Sequence, residues 1–357
     1  MPLEVQILHT RRPHFGRHSG IQQFAAHLDP ARVHVRVRTV ADGDGDLACR
    51  FPFRQPRMRA ALKRLVQWRG QCWYHLSDVA AEASVLRSML RRRIDVVHFV
   101  DGEHTAQFVP AIARMLRRRE RIVATYHQPP SVLPGVVVPS VIRRIDHVTL
   151  VSSSQLEYFE RILPRDRLSI VLHGIDVDFF APDAGRVAAS KVRCLTVGSY
   201  LRDWPLLAAI ARALAHRSDI ELHVVSTSAP AFEAANVRVH RRMDDEALRA
   251  LYRKSDLLVL PLVDATANNA LLEAMASGLA VVARDLPSLR EYAANGALFV
   301  SADAEAFAAA IEALAGDDRR RAAMGRAGRA RAEALAWPRI STDYAALYET
   351  IAGSERR

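Results

Sequence analysis

The sequence predicts an α/β protein of two doubly wound parallel-sheet domains facing each other across a cleft. Three observations carry that prediction. Short apolar runs alternate with helical patterns along the whole chain, as parallel strands joined by crossover helices do. The 357 residues suit two domains of ordinary size, and 50% apolar residues can fill two cores. The run Phe-Ala-Pro-Asp-Ala-Gly-Arg-Val-Ala-Ala-Ser at 180–190 reads as a linker. It sets one domain at 1–180 and the other at 181–336, with a closing helix at 337–352.

In the first half, strands fit 5–8, 33–40, 95–100, 121–126, 147–151 and 169–172. Helices fit 20–28, a long span from 58 to 90, 105–116 and 155–163. In the second half, strands fit 193–197, 221–225, 237–240, 257–260, 280–283 and 297–300. Helices fit 205–215, opened by Pro205 at a first-turn position, then 245–254, 267–277, 288–293 and 304–315. The segment 319–336 is amphipathic and basic. Its Gly-Arg-Ala-Gly-Arg-Ala-Arg run reads as a solvated helix face, because acids and alanines interleave and no aromatic stacking pair accompanies it, so no nucleic-acid partner is expected.

No stretch of eighteen or more residues reads as a transmembrane span. The N-terminus enters a strand at once without the charge-then-apolar layout of a signal peptide. Cys49, Cys72 and Cys194 lack metal-ligand or redox spacing, so a reducing cytoplasm is the expected compartment, at the inner face of the membrane if the basic half docks there. That half is conspicuous: residues 1–180 hold 27 Lys and Arg against 17 Asp and Glu, and the remainder 23 against 22. Between Leu47 and Ser77 stand Arg50, Arg54, Arg57, Arg59, Lys63, Arg64 and Arg69 with no acid. Two readings stay open, a solvated face or a surface that meets something anionic. From 57 to 76, Ala61, Leu62, Leu65, Val66, Trp68, Trp73 and Leu76 fall among these cations. They form either a membrane-surface stripe or a face packed on the sheet.

Residues 260–282 say most about chemistry. An apolar strand ends at Leu260 and a small polar loop with Asp264 and Thr266 follows. A helix opens near Ala267, with Glu273 two turns in and Gly278 as its stop. Helix-start N–H groups around Asn268 and Asn269 thus lie beside a lone acid. A nucleoside diphosphate needs both, N–H donors for phosphate and a carboxylate for ribose hydroxyls. The bland alternative is an ordinary strand–loop–helix unit with a solvated Glu. Other strand ends carry comparable signals. The first runs into a loop with Gly16 and Gly20 that opens a helix, beside Arg11, Arg12, Arg17 and His18. The fourth ends at His127 before two prolines, placed either for a sugar hydroxyl or as a hydrogen-bonded rim histidine. His98, with Asp101 and Glu103, is similarly placed. Past the sixth comes His173-Gly174-Ile-Asp176. The seventh ends at Gly198, where phosphate can approach the backbone, followed by Ser199 and Arg202, which either binds phosphate or pairs with Asp203.

Together these residues resemble the retaining nucleotide-sugar glycosyltransferases of family 4, which have the GT-B fold of two Rossmann-like domains. The resemblance spans essentially the whole chain. It rests on the Gly20 loop, Thr-Tyr-His127, Val-Ser-Ser-Ser-Gln at 151–155 and His-Gly174-Ile-Asp-Val-Asp-Phe-Phe. Gly198 with Arg202, Leu-Leu-Glu273-Ala-Met-Ala-Ser-Gly and Ala-Trp337 complete it. It implies an N-terminal acceptor domain, a C-terminal donor domain and a last helix that crosses back onto the first. It implies His127, Arg202 and Glu273 as the catalytic set, with Glu273 on ribose, Arg202 on the diphosphate and His127 on a donor-sugar hydroxyl. Gly20, Gly198, Ser199, Asp264, Thr266, Asn268 and Asn269 join them at the nucleotide sugar, and Arg17, His18, His173 and Gly174 lie on the acceptor or cleft side. Two positions depart from the family. Ala265 replaces the first of two glutamates separated by seven residues, and Ser199 stands at the Arg of an Arg–Lys phosphate pair.

The expected activity is hexose transfer from a nucleoside-diphosphate sugar to a lipid-linked, polysaccharide or small-molecule acceptor, with retention of configuration. No cofactor is expected beyond that co-substrate. No metal is expected either, since Arg202, helix N-termini and Arg17 can meet the leaving diphosphate's charge. Alternatives are a sugar-nucleotide-binding protein without turnover and a sugar-nucleotide epimerase.

Overall fold

The computed structural model describes all residues except 12–15, 42–54, 68–72, 184, 186–189 and 354–357. Arg12, Cys49, Arg50, Arg54, Trp68, Arg69 and Cys72 therefore lie outside the described residues. Two six-stranded sheets hold the chain, every neighbouring pair of strands running parallel. The chain divides into two units. The first comprises Met1–Phe15, Ile21–His173 and Pro338–Arg357, and the second Gly16–Gly20 and Gly174–Trp337.

The first unit contains strands β1 (Leu3–Arg11), β2 (Val33–Ala41), β3 (Val96–Phe99), β4 (Arg121–Tyr126), β5 (His147–Leu150) and β6 (Leu168–Ile170). Their order is β2-β1-β3-β4-β5-β6. Helices α1 (Pro56–Gln67), α2 (Leu76–Arg91), α3 (Val109–Met115), α4 (Leu133–Val136), α5 (Pro139–Ile142) and α6 (Leu156–Glu160) connect them. The segment expected as a helix over 20–28 is a 3-10 turn at Ile21–His27. The single long helix expected from 58 to 90 is two helices. Leu62 and the buried Tyr74 and Leu76 share a small cluster, while Trp73 packs on the main core and stacks on His104 at 5.1 Å. These apolar residues turn inward, while Leu65 of the proposed stripe is 65% exposed, and Met58, two turns before it and outside that stripe, is 44% exposed.

Polar burial is satisfied locally. Glu82 on α2 is buried and accepts from the amides of Gln107 (2.8 Å), Phe108 (2.8 Å) and Val109 (2.7 Å) and from the Tyr74 hydroxyl (2.7 Å). It caps α3, whose own N-cap, Phe108, has no side-chain acceptor. Burial pushes this carboxyl up, against the pull of those bonds.

The second unit contains β7 (Val192–Val197), β8 (Ile220–Val225), β9 (Val237–His240), β10 (Leu257–Leu260), β11 (Ala280–Arg284) and β12 (Ala297–Val300). Its sheet order is β12-β11-β10-β7-β8-β9. Helices α7 (Trp204–Ala213), α8 (Asp245–Lys254), α9 (Asn269–Ala276), α10 (Pro287–Ala293), α11 (Ala304–Ala315) and α12 (Asp318–Ala334) surround it. Asp side chains at 203, 244, 303 and 317 cap α7, α8, α11 and α12. Cys194 lies buried on β7. Among the described residues no helix is long and apolar enough to cross a membrane.

The last helix, α13 (Trp337–Gly353), packs from Pro338 onward on the first sheet. Ser341 donates to the Phe24 carbonyl at 2.8 Å, Tyr344 stacks on Phe24 at 4.3 Å and Tyr348 hydrogen-bonds His98 at 2.6 Å. The spacing 341, 344, 348 is one helix face. His98 also meets Thr125 at 2.7 Å, and burial pushes its pKa down to about 3, so it is a neutral core residue.

Candidate functional site

Strand order in the second sheet reverses between β7 and β10, and ligands of such sheets bind outside the carboxyl ends at that point. Two loops leave these strand ends. After β7, Gly198 has φ +99°, and a Cβ there would stand 2.9 Å from the Arg202 guanidinium. The positive φ is what calls for glycine here. Arg202 folds back over it, its Nε donating to the Val197 carbonyl at 3.0 Å and its Nη1 to that of Tyr200 at 3.3 Å. Its Nη2 also donates to Val197. The fork expected to face phosphate thus closes its own turn. Burial lowers the guanidinium pKa to about 10, which leaves it cationic at neutral pH, in the field of Tyr252 and Glu273. Ser199 bonds the Ser226 hydroxyl at 2.6 Å.

The β10 loop is pinned to this turn by Val263 donating to the Leu201 carbonyl and Asp203 to that of Pro261, both at 2.9 Å. Asp264 accepts from the Ala265 amide at 2.7 Å, and Ala265 and Thr266 are buried. Helix α9 opens at Asn269, two residues later than the sequence suggested, because the Asn268 side chain accepts from Leu271 N at 3.1 Å as its N-cap.

Glu273 lies inside this framework at 3% exposure. One carboxyl oxygen accepts from Ser19 Oγ at 2.5 Å, the other from the Tyr252 hydroxyl at 2.8 Å. Burial is the largest cause that pushes its pKa up to about 7. The two hydroxyl bonds and Arg202 pull down, and Asp245 adds to the rise. Ser19 reaches Glu273 because 16–20 is held in the second unit. Arg17 N donates to Asp245 at 2.7 Å. His18 meets Asp176 at 2.7 Å and lies flat on Phe179 at 3.6 Å. Gly20 takes φ +100°.

Sequence spacing singled out Glu273, Arg202 and Gly198, which the structure brings into one neighbourhood, and did not single out Ser19 or Tyr252. A tyrosine beside Leu251 on the buried side of α8, with a hydroxyl needing a partner, was the available signal for the second. Gly174, expected on the cleft side, is a packing glycine: a Cβ would stand 2.5 Å from the Trp337 ring. His173 is buried. In the first unit, His127 directly follows β4, and its Nε2 donates to the Val100 carbonyl at 2.7 Å. Its backbone N–H and that of Gln128 donate to the buried Glu103 at 2.5 and 2.8 Å. Among the described residues no three His, Cys, Asp or Glu side chains group as a metal site.

Residues 177–317 match the family described as glycosyl transferases group 1, and residues 18–179 match Glycosyltransferase Family 4. Together the two matches run from residue 18 to residue 317, and both are to glycosyltransferase families. A phosphatidyl-myo-inositol mannosyltransferase of Mycolicibacterium smegmatis is 30% identical over 65% of this chain and 66% of its own. A D-inositol 3-phosphate glycosyltransferase of Corynebacterium glutamicum is 24% identical over 53% of each. The chain thus spans between half and two thirds of these relatives. Among solved structures, sucrose-phosphate synthase from Thermosynechococcus elongatus superposes with TM-score 0.72 at 18% identity, covering 97% of this chain and 98% of that one. Anabaena HepE, solved in complex with UDP, superposes with TM-score 0.68 at 15% identity, covering 98% and 100%. The architecture is GT-B, two parallel-sheet Rossmann-like units.

Proposed function

We propose that the protein transfers a hexose-type sugar from a nucleoside-diphosphate donor to an acceptor, with retention of configuration and without a metal ion. The observation that carries this reading is the buried Glu273 carboxyl, met by two hydroxyls at the reversal point of the second sheet. Ser19 does to Glu273 what a ribose hydroxyl would do, and ribose takes its place when donor binds. Breaking the anomeric C–O bond puts negative charge on the leaving diphosphate. The fixed Arg202 cation, the start of α9 and the exposed Arg17 side chain answer it without reorganising. The His127 ring, held at the end of β4 by the Val100 carbonyl, meets a substrate sugar hydroxyl. The printed name of the mannosyltransferase relative supports a lipid-linked acceptor. Helix α1 supports docking at a membrane surface, since Met58 and Leu65 are exposed, seven residues apart, beside Arg57 and Arg64.

A second reading is favoured by Ala265, which leaves the position of the first family glutamate without a carboxylate: nucleotide-sugar binding without turnover. One experiment separates them. The protein is screened with UDP- and GDP-sugars for a thermal shift, and each donor that binds is then followed for nucleoside diphosphate release with and without sugar and lipid acceptors. Release with an α-linked product from an α-donor supports retaining transfer. A donor that binds but is never consumed leaves the binding reading, and the absence of binding to every donor overturns both.

A further inference from the structure

At the edge of the first sheet where β4 begins, five arginines line a cavity of about 440 Å3. They are Arg114, Arg117, Arg118, Arg119 and Arg121. Ala352 of α13 completes the lining, and no carboxylate is part of it. Six residues of β4 separate Arg121 from the end that carries His127, about 17–20 Å along the strand.

Arginines near helix ends ordinarily cap the last carbonyls. Arg118 does this, donating to the Met89 carbonyl of α2 and pairing with Glu120 at 2.5 Å. Arg114 donates to the Arg143 carbonyl at 3.4 Å. The other three are different. Among the described residues the side chains of Arg117, Arg119 and Arg121 make no hydrogen bond or ion pair. Arg121 is only 9% exposed, its stem packed at the cavity wall, and its guanidinium is not among the described side-chain atoms that are buried without a partner. Five like charges around one cavity repel each other unless an anion meets them. Arg117 lies just past the end of α3. It holds φ +50°, a left-handed position that closes α3 and ordinarily takes glycine or asparagine.

We propose that this cavity binds a phosphate group, gripped by the guanidinium forks of Arg117, Arg119 and Arg121. Three planar donors lining one cavity without an acid suit the several oxygens of a phosphate monoester better than the two of a carboxylate. The phosphate is either a soluble one or the headgroup of an anionic lipid. Met115, 74% exposed, and Leu116, 50% exposed, lie between Arg114 and Arg117 and suit the second source. The site stands independently of the sugar-transfer reading.

The test titrates inorganic phosphate into the full chain by calorimetry, for wild type and for Arg121→Met, Arg119→Ala and Arg117→Gly. Each variant should weaken phosphate at least tenfold, while Arg117→Gly keeps or raises thermal stability because it relaxes the backbone. A parallel arm sediments the protein with phosphatidylcholine vesicles with and without phosphatidic acid. Recruitment that needs phosphatidic acid and is lost in the variants identifies a lipid source, and phosphate binding without such recruitment identifies a soluble one. If Arg121→Met does not fold, the exposed positions 117 and 119 carry the test. Phosphate and vesicle binding that are absent, or that all variants retain, would overturn the proposal.

Discussion

Replacing Glu273 by glutamine separates the energetic cost of the site from its use. The wild-type carboxyl titrates near 7 when folded against 4.5 ordinarily. Below pH 4.5 it is neutral in both states and contributes no pH dependence. Between 4.5 and 7 the folded protein keeps a proton that the unfolded chain releases, so stability falls as pH rises, and above 7 the loss is complete. At about 1.36 kcal/mol per pH unit, that loss is roughly 3 kcal/mol. Glutamine has the same shape and no charge, but its bonds to Ser19 and Tyr252 are neutral ones, weaker by about 1 kcal/mol. The Glu273→Gln variant should therefore be more stable than wild type at pH 8.5 by about 2 kcal/mol. At about 2–4 °C per kcal/mol for a unit of this size, its melting transition should rise by roughly 4–8 °C. At pH 5 the advantage should vanish or reverse. The same variant should bind nucleoside diphosphate poorly, because ribose hydroxyls donate to a carboxylate better than to an amide. Calorimetric melting of both proteins at pH 5 and 8.5 is the assay. A variant less stable than wild type at pH 8.5, or a difference that does not change with pH, would refute the assignment of a buried, partly protonated acid.

Tyr252→Phe should lower stability above pH 7 by about 1–3 kcal/mol, since one oxygen of a buried carboxylate loses its donor, and denaturation at pH 8 checks this. Arg202→Met should leave the Val197 and Tyr200 carbonyls without their donor and weaken nucleoside diphosphate by about 1.5–3 kcal/mol. Unchanged affinity in a folded variant would remove Arg202 from the site. Transfer should proceed at full rate in EDTA, whereas activity lost to the chelator and restored by Mg2+ or Mn2+ would contradict charge neutralisation by Arg202 and the start of α9. Gly174→Ala should cost about 1–3 kcal/mol in melting experiments, because its methyl group would meet the Trp337 ring at 2.5 Å. A neutral substitution would mean that the ring moves aside freely.

The strands were legible because a parallel sheet covered on both faces writes itself as short unbroken apolar runs, such as Leu257–Leu260 with all four residues buried. Helices were read where the chain gave starts and stops, as at Pro205 in the first turn of α7 and Gly278 after α9, and misread where apolar spacing ran on between two helices. Leu62 and Leu76 fit one continuous helical stripe, yet both pack around Tyr74, which lies in the turn between two helices. The short α4 and α5 begin beside Pro134 and at Pro139, and each is too brief for a period to register.

The site was half legible for a reason its geometry makes plain. A lone glutamate two turns into a helix is a local pattern. Its hydroxyl donors are not, since Ser19 is 254 residues away and is brought in by bonds to Asp245 and Asp176 that no spacing encodes. Gly198 shows the same limit from the other side. A glycine at the end of a parallel strand marks a place where a group can come close to the backbone, and phosphate is the usual visitor. Here the nearest visitor is the Arg202 guanidinium of the same turn, which occupies the space a Cβ would take. The missing Cβ and the positive charge are therefore one device, a cation fixed in advance at the carboxyl end of β7. A diphosphate that binds there meets its field without Arg202 having to leave the carbonyls that hold it.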